Sequence, residues 1–589
     1  MKYSVAYLLF TVASLIIINA TTALATDYYV DVNTGNDRNS GATPDAPWKT
    51  LYHALHGMEG TPDMQWVVHV APGTYSPETG EAFPLNVGSY VTLLGENRDT
   101  TIVDAKQTGA CIFAVLPYSG ALDVTIEGLS VTGGAAPDPW SDWGGGIACC
   151  ADNAVIRNNK IFGNQNGEMF GGGIYVNAEN VLIEDNEIFD NYDDPSAGGG
   201  EGYGYDGAIF VDSGSYLIRN NYIHDNECTA INANQPAGPY PTAILQNNLL
   251  ENNVSPSFDG QDYSLSGTFE SVQDCVITGG CYLYAPPGKC PLLYNCIFTG
   301  DESVSCYSYS FEAAPSSFVL DFCTFAGGAS PQVAVWEAHG RFWNCVFYGS
   351  AVPISTDASG YHGAGTAEVH YCRIPDSAWA SLPTNFDADP LFVTGPFGDY
   401  YLSQTAAGQQ QESPCVNAGS TSATLPRISS PTTRISSRTT RTDGAFDAGV
   451  VDIGYHYSAT PPTIEASVAN LTNPSVPAIP HFAQGEILAA SVKVENGGLP
   501  LWVDVYAGFI LPDGSIYCVS PNGLTTDLVP WAAAAHLPSN FNSGDIVVFE
   551  AQTPGGLPEG AYTFAAALSL TGGFRAIGNI AFSQFKVQG

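Results

Sequence analysis

The chain has 589 residues, enough for several domains, and its 58 acidic and 18 basic residues give a formal net charge of −40. So acidic an exterior argues against nucleic acid and anionic membrane surfaces as partners, because both carry negative charge themselves. It suits an exported protein whose carboxylates can bind divalent cations such as Ca²⁺.

An export signal is predicted at the start of the chain. Residues 1–25 hold one Lys, a long apolar run and the small-residue pattern Ala23-Leu24-Ala25, which is typical of a signal peptide cleaved before Thr26. An uncleaved anchor helix is the alternative. No later stretch is long and apolar enough to cross a bilayer, so we do not expect an integral membrane protein. We expect a secreted or cell-surface protein, with the periplasm as a further location.

The next predicted element is an amphipathic helix in the stretch "PWKTLYHALHGM" (47–58). Beyond it, a repeat with a mean period of 27 residues occupies the middle of the chain. We take the second residue of the polar pair in each repeat, as in "IRNNKIF", as its register mark. The marks are Leu129, Asn159, Asn186, Asn221, Asn248, Cys275, Cys296, Cys323, Cys345 and Cys372.

The residues around the marks indicate a strand, a sharp corner and a second strand in every repeat. Three residues before and two residues after each mark, all twenty side chains are apolar. The residue just before the mark is mostly Asn, Asp or Gly, the types that tolerate left-handed backbone at a tight corner. A third apolar column, which predicts a third strand, contains Ile147, Ile174, Ile209 and Ile231.

Three short strands per repeat predict a right-handed parallel β-helix of about ten or more coils, spaced about 4.8 Å apart. The Asn marks are expected to stack as a ladder, because an amide carries both a donor and an acceptor. The amphipathic helix would cover the open first coil and hide its strand edges. The Cys marks are expected to be a buried packing ladder rather than reactive thiols. Among the 14 cysteines, Cys281 and Cys290 bracket a loop and are the expected disulfide, the alternative being that they stay free.

The two ends of this region resemble a known superfamily. The opening "YYVDVNTGNDRNSGATPDAPWKTLYHAL" and the ending "DADPLFV…SPCVNAGS" with "TRTDGAFDAGVVDIGYHY" resemble those of secreted parallel β-helix proteins of the pectate-lyase-like superfamily. The resemblance covers about residues 27–458. It implies the β-helix fold, but the superfamily contains lyases, hydrolases, epimerases, adhesins and proteins of unknown role. We therefore assign residues 26–458 to the β-helix domain.

In residues 459–589 the repeat stops. Alternating stretches such as "LAASVKVEN" and "GAYTFAAALSL" stand between Pro and Gly turns, which predicts an immunoglobulin-like β-sandwich domain. The Ser, Thr and Arg-rich stretch 420–442 is expected to be an exposed loop.

Few residues qualify as the base of a polysaccharide lyase, which is usually Lys or Arg. The column two before the mark alternates as Glu127, Arg157, Glu184 and Arg219, and Lys160 faces Glu187, so these cations are expected to form outward ion pairs. Arg341, Arg373 and His224 remain as weaker candidates. The motifs that mark the hydrolase branch of the superfamily are missing.

An acidic insertion, "DNYDDPSAGGGEGYGYDG", lengthens one repeat to 35 residues. It has three interpretations. It can be a solvated Gly-rich loop, a Ca²⁺ site built on Asp190, Asp193 and Asp194, or a glycosidase centre. In the last case Asp194, Glu201 and Asp206 are the candidate catalytic carboxylates, since a glycoside hydrolase needs an acid and a base or nucleophile.

The loops that follow the second strand of each coil are expected to stack on one side of the rod. Their aromatic residues would form a wall suited to sugar rings, although ordinary packing within the loops explains them equally well. The candidate substrate-binding residues are Trp140, Trp143, Tyr192, Tyr203, Tyr205 and Tyr263.

Two functions follow from these features. In the first, the chain is a secreted or cell-surface protein that binds polysaccharide and, if it is an enzyme, cleaves it as a lyase or glycoside hydrolase. In the second, it is a non-catalytic adhesin or surface-layer protein, with the β-helix as a rigid rod and the sandwich as its attachment module. Both keep contact with a cell-surface glycan.

Overall fold

A computed structural model gives the architecture of the chain. It describes residues 24–114, 122–136, 145–166, 172–193, 207–233, 241–254, 263–286, 289–308, 316–358, 363–375, 377–420, 435–474 and 479–588. Most of the predicted signal peptide, residues 1–23, lies outside this range. The described part contains no helix that is both long and apolar enough to cross a membrane.

Parallel strands stack along three strips that we call A, B and C in their order within a coil. Strip A contains Leu85–Asn86, Ile112–Ala114, Ile147–Cys149, the first parts of Ile174–Glu184 and Ile209–Arg219, Ile231–Ala233, Tyr263–Gly267, Gly280–Tyr284, Val304–Tyr307, Val333–Trp336 and Ile354–Ser355. Strip B contains Leu24–Val30, Met64–Val70, Val91–Gly95, Thr125–Glu127, Val155–Arg157, the last parts of Ile174–Glu184 and Ile209–Arg219, Thr242–Gln246, Ser271–Gln273, Leu292–Tyr294, Ser317–Asp321, His339–Trp343 and Thr366–His370. Strip C contains Gly73–Tyr75, Thr101–Asp104, Ser130–Thr132, Lys160–Phe162, Glu187–Phe189, Tyr222–His224, Leu249–Glu251, Val276–Thr278, Ile297–Thr299, Thr324–Ala326 and Val346–Tyr348.

The predicted inward columns form the core of these stacked coils. All twenty apolar residues that flank the marks are at most 5% exposed, and the third column is fully buried. Each pairs in register with its counterpart one coil away, as Ile156 does with Ile126 and Ile183. Because strand pairing and burial agree along the whole stack, the prediction of a parallel β-helix is confirmed. The long parallel sheets are consistent with its predicted right-handed form.

The corner between strips B and C has the predicted backbone. The residue before the mark has a φ between 51° and 74° in all ten coils. The mark turns inward, and its amide Nδ2 donates to the Oδ1 of the next mark over 3.2 Å from Asn159 to Asn186, 3.1 Å from Asn186 to Asn221 and 3.0 Å from Asn221 to Asn248. The amide ladder is therefore present as predicted.

A second amide ladder, which the sequence analysis did not assign, closes the other end of strip C. Its distances from amide to amide are 3.0, 3.0 and 2.8 Å. Its members are Asn164, Asn191, Asn226 and Asn253, each five residues after a mark. Both turns around strip C are thus held by hydrogen bonds that run along the rod axis.

The cysteines fill the core of the later coils. All fourteen are free thiols, and the five Cys marks are fully buried, so the packing ladder is present. The predicted disulfide is wrong: Cys281 points into the core in register with Val304, whereas Cys290 is exposed. The alternation of its strand turns Cys281 inward, away from the surface where Cys290 lies.

The predicted amphipathic helix is a short element, Leu51–Leu55. Thr50 caps its start by accepting a hydrogen bond from the His53 N–H, and Leu51, Ala54 and Leu55 join the core of the β-helix. Its role as a cap of the first coil stays a prediction. A second helix, Ser377–Ala380, packs Ala380 against the same core, and 3₁₀ turns occur at Pro77–Thr79, Thr405–Ala407 and Ile435–Ser437.

The described parts of residues 386–458, which we call the closing segment, pack on the outside of the corner between strips B and C. The segment contains two antiparallel pairs, Phe392–Gly395 with Gly398–Leu402 and Arg438–Thr439 with Tyr457–Ser458. Asn295 exchanges hydrogen bonds with the backbone of His456 at 3.0 and 2.7 Å. Arg438 forms a buried 2.6 Å ion pair with Asp274. The polar corner residues of these coils therefore serve as attachment points for the closing segment.

Two largely antiparallel sheets with one shared hydrophobic core form the C-terminal part of the chain. The first sheet contains Thr463–Asn470, Ile487–Asn496, Phe541–Asn542 and Ile546–Gln552. The second contains His481–Phe482, Leu501–Ile510, Ile516–Ser520, Gly523–Thr525, Ala532–Leu537, Gly560–Leu570 and Ala576–Val587. The immunoglobulin-like assignment and the boundary at residue 459 stay predictions.

The C-terminal sheets dock on the same corner, in the coils before those covered by the closing segment. The indole of Trp502 donates a 2.8 Å hydrogen bond to the backbone carbonyl of Asn220. Trp502 packs with Tyr222 and Ala534 in a small buried cluster. The guanidinium of Arg98 lies 5.0 Å from the Trp502 ring centre and donates to the carbonyl of Ala534. This contact fixes the C-terminal sheets on the β-helix.

The side chain of His536 is 7% exposed at this interface, and we expect it to make the interface sensitive to acid. Although Asp185 Oδ1 lies 3.4 Å from its Nε2, burial and the charge of Arg98 lower the pKa of His536 to about 3. The native state therefore binds fewer protons than the unfolded state below the ordinary histidine pKa near 6.5, so stability falls as the pH falls. We expect His536→Phe to remove about 2 kcal/mol of the stability loss between pH 7.5 and pH 5.

Urea unfolding of the wild type and His536→Phe at both pH values measures this difference. Asp185 and Glu184, which face the same histidine, remain in both proteins, so their titration contributes equally. Equal losses in the two proteins would contradict the prediction.

Candidate functional site

The outer face of strip A is where the structure gathers aromatic and acidic side chains. The corner between strips B and C is covered by the closing segment and the C-terminal sheets, as Asn295 and Asn220 show. In each coil, strip A follows the loop that leaves strip C and comes before strip B. Its outward side chains are those that alternate with the buried column of Ile147, Ile174 and Ile209.

The bases of the predicted loops stack beside strip A. Ala135–Ala136, Gln165–Asn166 and Tyr192–Asp193 form a small parallel sheet, and Tyr192 forms a further bridge with Glu227. The Tyr192 hydroxyl donates a 3.0 Å hydrogen bond to Gln165 Oε1. The acidic insertion therefore leaves the rod from an ordered stack of loop bases.

Most predicted site residues fall beyond these bases. Residues outside the described range are Trp140, Trp143, Asp194, Glu201, Tyr203, Tyr205 and Asp206. Asp193 is described only as backbone. Asp190 is exposed at a turn with a φ of 52°. The catalytic set and the Ca²⁺ set thus stay predictions.

Tyr263 lies within a cluster of tyrosines on strip A. Its ring centre lies 5.5 Å from that of Tyr282, which in turn lies 4.3 Å from that of Tyr307. Tyr284 lies 5.2 Å from Tyr307. Tyr263 and Tyr282 are partly exposed, whereas Tyr284 and Tyr307 are about 5% exposed or less. The buried pair therefore supports two rings that are partly exposed.

A half-buried carboxylate lies on the same strip, two coils before Tyr263. Asp212 Oδ2 accepts hydrogen bonds of 3.1 Å from the Tyr175 hydroxyl and from Asn177 Nδ2, and Ser213 donates to Asn177 over 2.7 Å. Burial raises the pKa of Asp212, and the hydrogen bond from the Tyr175 hydroxyl opposes that shift. Burial and the charge of Asp212 raise the pKa of Cys150 to about 11, so that thiol stays protonated. Asp212 is the titratable group of this cluster.

The sequence analysis missed Tyr175, Asn177 and Asp212. A signal was present, because the residue after the buried Ile in strip A must point outward, and there the sequence has Tyr175 and Phe210. These outward rings are nevertheless at most 3% exposed, and they stack 6.1 Å apart. Strand alternation predicts their direction but not their burial.

The Arg residues that were predicted to form outward ion pairs contact their predicted Glu partners. Arg157 contacts Glu127 at 2.8 Å and Arg219 contacts Glu184 at 2.6 Å. Arg373 is buried and donates to the backbone carbonyl of Ala388. None of these cations has the free, solvent-facing guanidinium that a lyase base needs.

His224 and Arg341, the other weak base candidates, also have acidic neighbours. His224 contacts Asp225 at 2.7 Å, and the hydrogen bonds of its acidic neighbours outweigh burial and raise the pKa of the ring. Arg341 lies 3.9 Å from Glu368. The cations of the β-helix thus serve mainly to pair with its many carboxylates.

No cluster of three or more metal-binding side chains occurs among the described residues. Two carboxylates in residues 31–37, near the start of the β-helix, accept hydrogen bonds from nearby backbone N–H groups. Asp31 accepts the N–H groups of Asn33 and Thr34, and Asp37 accepts those of Lys49 and Thr50. Turn formation accounts for Asp31, and hydrogen bonds to the start of the first helix account for Asp37.

Comparisons with known proteins add a family and a few solved structures. Residues 33–264 match the family described as "Protein of unknown function (DUF1565)". No curated protein matches the chain. Carrot pectin methylesterase shares 11% identity over 58% of this chain and 88% of its own, with a TM-score of 0.31.

Two further solved structures share about the same low identity. The catalytic unit of the GH87 α-1,3-glucanase from Streptomyces thermodiastaticus strain HF3-3 is 14% identical over 57% of this chain and 66% of its own, with a TM-score of 0.27. A CARDB domain from Pyrococcus furiosus, solved in complex with di-metal ions, is 13% identical over 22% of this chain and 89% of its own, with a TM-score of 0.15. The stacked parallel sheets make this chain a parallel β-helix protein, and its residues 33–264 are similar to the family of unknown function.

Proposed function

We propose that this chain is an exported protein that binds polysaccharide through the outer face of strip A. The observation that carries the proposal is the pair of partly exposed rings, Tyr263 and Tyr282, held by the buried Tyr284 and Tyr307. Aromatic rings stack on the apolar faces of sugars, and phenol hydroxyls hydrogen-bond their edges. Because the supporting rings are already packed, binding needs little reordering.

If the chain is also an enzyme, Asp212 is a candidate for its general acid. A carboxyl whose pKa is raised by burial can hold a proton and donate it to a leaving glycosidic oxygen. A glycoside hydrolase needs a second carboxylate, and the insertion supplies Asp194, Glu201 and Asp206 as candidates. Hydrolysis is therefore the reaction class that we propose if the chain is an enzyme. Ca²⁺ bound by Asp190, Asp193 and Asp194 would order the insertion.

Binding is tested by affinity electrophoresis and calorimetry against neutral and uronic polysaccharides, with and without Ca²⁺. We expect Tyr282→Ala to weaken binding about three- to tenfold, because it removes one sugar-facing ring. Tyr52→Ala is the matched control, since Tyr52 is 43% exposed on the first helix and its ring contacts His56 rather than the clustered tyrosines. Equal binding by wild type and Tyr282→Ala would contradict the proposed surface.

Catalysis is tested separately by the release of reducing ends and of unsaturated products. We expect Asp212→Asn to abolish any cleavage while retaining binding, since the amide keeps the shape of the side chain but cannot donate an acidic proton. Cleavage that survives Asp212→Asn would exclude this carboxyl as the acid. Unsaturated products would indicate a lyase instead.

The second candidate function is a non-catalytic adhesin or surface-layer protein. The observation that favours it is the docking of the C-terminal sheets on the rod through Trp502 and Arg98, which makes the two parts one unit. In that case the tyrosine surface would bind a cell-surface glycan without cleaving it, and the C-terminal part would provide attachment. Retention in glycan gels with no product from any polysaccharide would favour this candidate.

A further inference from the structure

An apolar cleft of about 360 Å³ lies between the two C-terminal sheets, outside the proposed glycan surface. Its volume falls in the range of small-molecule pockets, roughly 300–1,000 Å³. The first sheet contributes Leu488 and Phe549, and the second contributes Phe509, Leu524 and Phe585. These residues lie where the strands end, so the cleft opens at one end of the shared core.

Packed aromatic rings form the floor of the cleft. The ring of Phe509 lies 5.1 Å from that of Phe549, 5.2 Å from Phe564 and 6.1 Å from Phe585. Phe585 in turn stacks on Tyr562 at 5.2 Å. Because each ring packs against others, the floor of the cleft is held in place.

The lining offers little to a polar ligand. No Asp, Glu, Lys or Arg lines the cleft. Two of its polar side chains, Tyr562 and Thr553, already donate their hydroxyls to the backbone carbonyls of Pro558 and Glu486, over 2.9 and 2.7 Å. The other two, Tyr517 and Gln552, are exposed. A sugar or peptide entering here would bury polar groups without partners, which is costly. The occupant that fits is therefore apolar.

The side chains at the mouth of the cleft restrict the charge of the ligand's headgroup. Leu524 is 48% exposed and Tyr517 is 36% exposed, so the apolar surface continues to the rim. An acidic side chain stands beside it, because the charge of Asp513 acts electrostatically on Tyr562, which lines the cleft. An anionic headgroup would be repelled at this rim.

We propose that this cleft binds the alkyl chain of an uncharged amphiphile, with the chain on the Phe509 floor and the headgroup outside the acidic rim. The site gives the C-terminal part a ligand of its own, independent of the polysaccharide proposed for strip A. It would let the exported protein hold on to lipid-bearing material while the β-helix contacts glycan.

The full chain is titrated with octyl, decyl and dodecyl maltoside below their micelle concentrations, by displacement of the neutral dye Nile red. We expect the affinity to rise about fourfold per methylene until the cleft is full. Maltose alone should not displace the dye, and sodium dodecanoate should bind more weakly than dodecyl maltoside. Affinity that does not depend on chain length, or displacement by maltose, would overturn the proposal.

Two variants place the binding in the cleft. Ala551→Phe fills the space, and Leu524→Asp puts a charge at the exposed mouth without changing the core; each should lower the affinity at least tenfold. Phe582→Ser is the control, since Phe582 is 61% exposed and does not line the cleft. Tyr282→Ala in strip A should leave alkyl binding unchanged, which separates failure of this site from failure of the glycan site.

A second copy of the chain is the competing occupant. Size-exclusion chromatography of the wild type and Leu524→Asp at several concentrations decides between them. A wild-type dimer that becomes monomeric in Leu524→Asp would show that the mouth is a self-association surface and would overturn the proposal. A monomer in both cases, together with chain-length dependence, supports it.

Discussion

Asn186→Leu is expected to lower the unfolding free energy of the β-helix by about 3–5 kcal/mol, because it breaks the amide ladder in its middle. Asn186 is fully buried, and its Oδ1 accepts both the backbone N–H and the Nδ2 of Asn159 at 3.0 and 3.2 Å. Its Nδ2 donates to the carbonyl of Ile156 and to Asn221 Oδ1. The apolar replacement leaves these buried groups without partners, and urea unfolding measures the loss.

Two further variants give the measurement its controls. Asn186→Cys should cost less than Asn186→Leu, because a thiol already accepts the backbone N–H of the preceding mark where Cys275 follows Asn248. Gln246→Ala replaces an exposed amide on strip B and should change stability by less than about 0.5 kcal/mol. If Asn186→Leu lowered the unfolding free energy no more than Gln246→Ala does, the hydrogen bonds of the ladder would contribute nothing to stability beyond side-chain packing.

The ladder could be predicted because several columns of the repeat agree with one another. Ile183 and Ile188 fix which residues face inward, and the positive φ required at Asp185 fixes where the corner lies. With both set, the position of Asn186 follows. The second ladder has the same spacing, and the same corner residue types precede its members: Gly163, Asp190, Asp225 and Asn252 all have a positive φ. Only the first corner of each repeat was used in the sequence analysis. Asn191 needed the structure to show its role.

The site and the thiols could be predicted less well, because their properties depend on neighbours outside the repeat. Asp212 follows a strip A strand that resembles the others, and only its contacts with Tyr175 and Asn177 distinguish it. Cys281 and Cys290 looked like a loop-closing pair, whereas the alternation with Leu283 places Cys281 in the core. Local spacing predicted which face a side chain takes, and long-range packing decided its role.

Contacts between distant parts of the chain had no pattern to reveal them. Trp502 and Asn220 are 282 residues apart, and neither lies in a motif that points to the other. The alternation of the C-terminal strands predicts sheets, but it does not say which outer face will dock. The residues just before the marks were interpreted from sequence only as tight turns. In the structure they also contact the C-terminal sheets and the closing segment, as Asn220 and Asn295 do.

Removing this docking contact is the second large effect that we expect. Trp502 is 5% exposed, and Trp502→Ala loses the hydrogen bond to Asn220, the packing against Tyr222 and the cation–π contact with Arg98. Truncation of a buried Trp typically costs about 3–5 kcal/mol. Here part of that cost is expected as release of the C-terminal sheets from the rod rather than as unfolding of either part.

Arg98→Met tests the same interface from the other side. Arg98 lies 3.6 Å from Glu187 Oε2, an atom without a hydrogen-bond partner among the described residues, and Lys160 lies at the same distance. Without Arg98 the buried carboxylate keeps Lys160 at 3.6 Å and His224, whose Nε2 lies 3.8 Å from its Oε1, so its charge is less well compensated and the interface weakens. Small-angle scattering should show a larger radius of gyration for Arg98→Met and Trp502→Ala, and proteolysis near residue 460 should be faster.

Phe582→Ala is the control for both docking variants, because Phe582 is exposed on the C-terminal sheets and makes no part of the docking cluster. It should leave scattering and proteolysis unchanged. Unchanged scattering in Trp502→Ala would mean that the closing segment and the remaining docking contacts, such as Asn247 with the carbonyl of Pro500, position the C-terminal sheets. In that case the hydrogen bonds between Asn295 and the backbone of His456 would link the β-helix to the C-terminal sheets through the closing segment. Asn295 would then be a residue that sets the position of the C-terminal sheets on the β-helix.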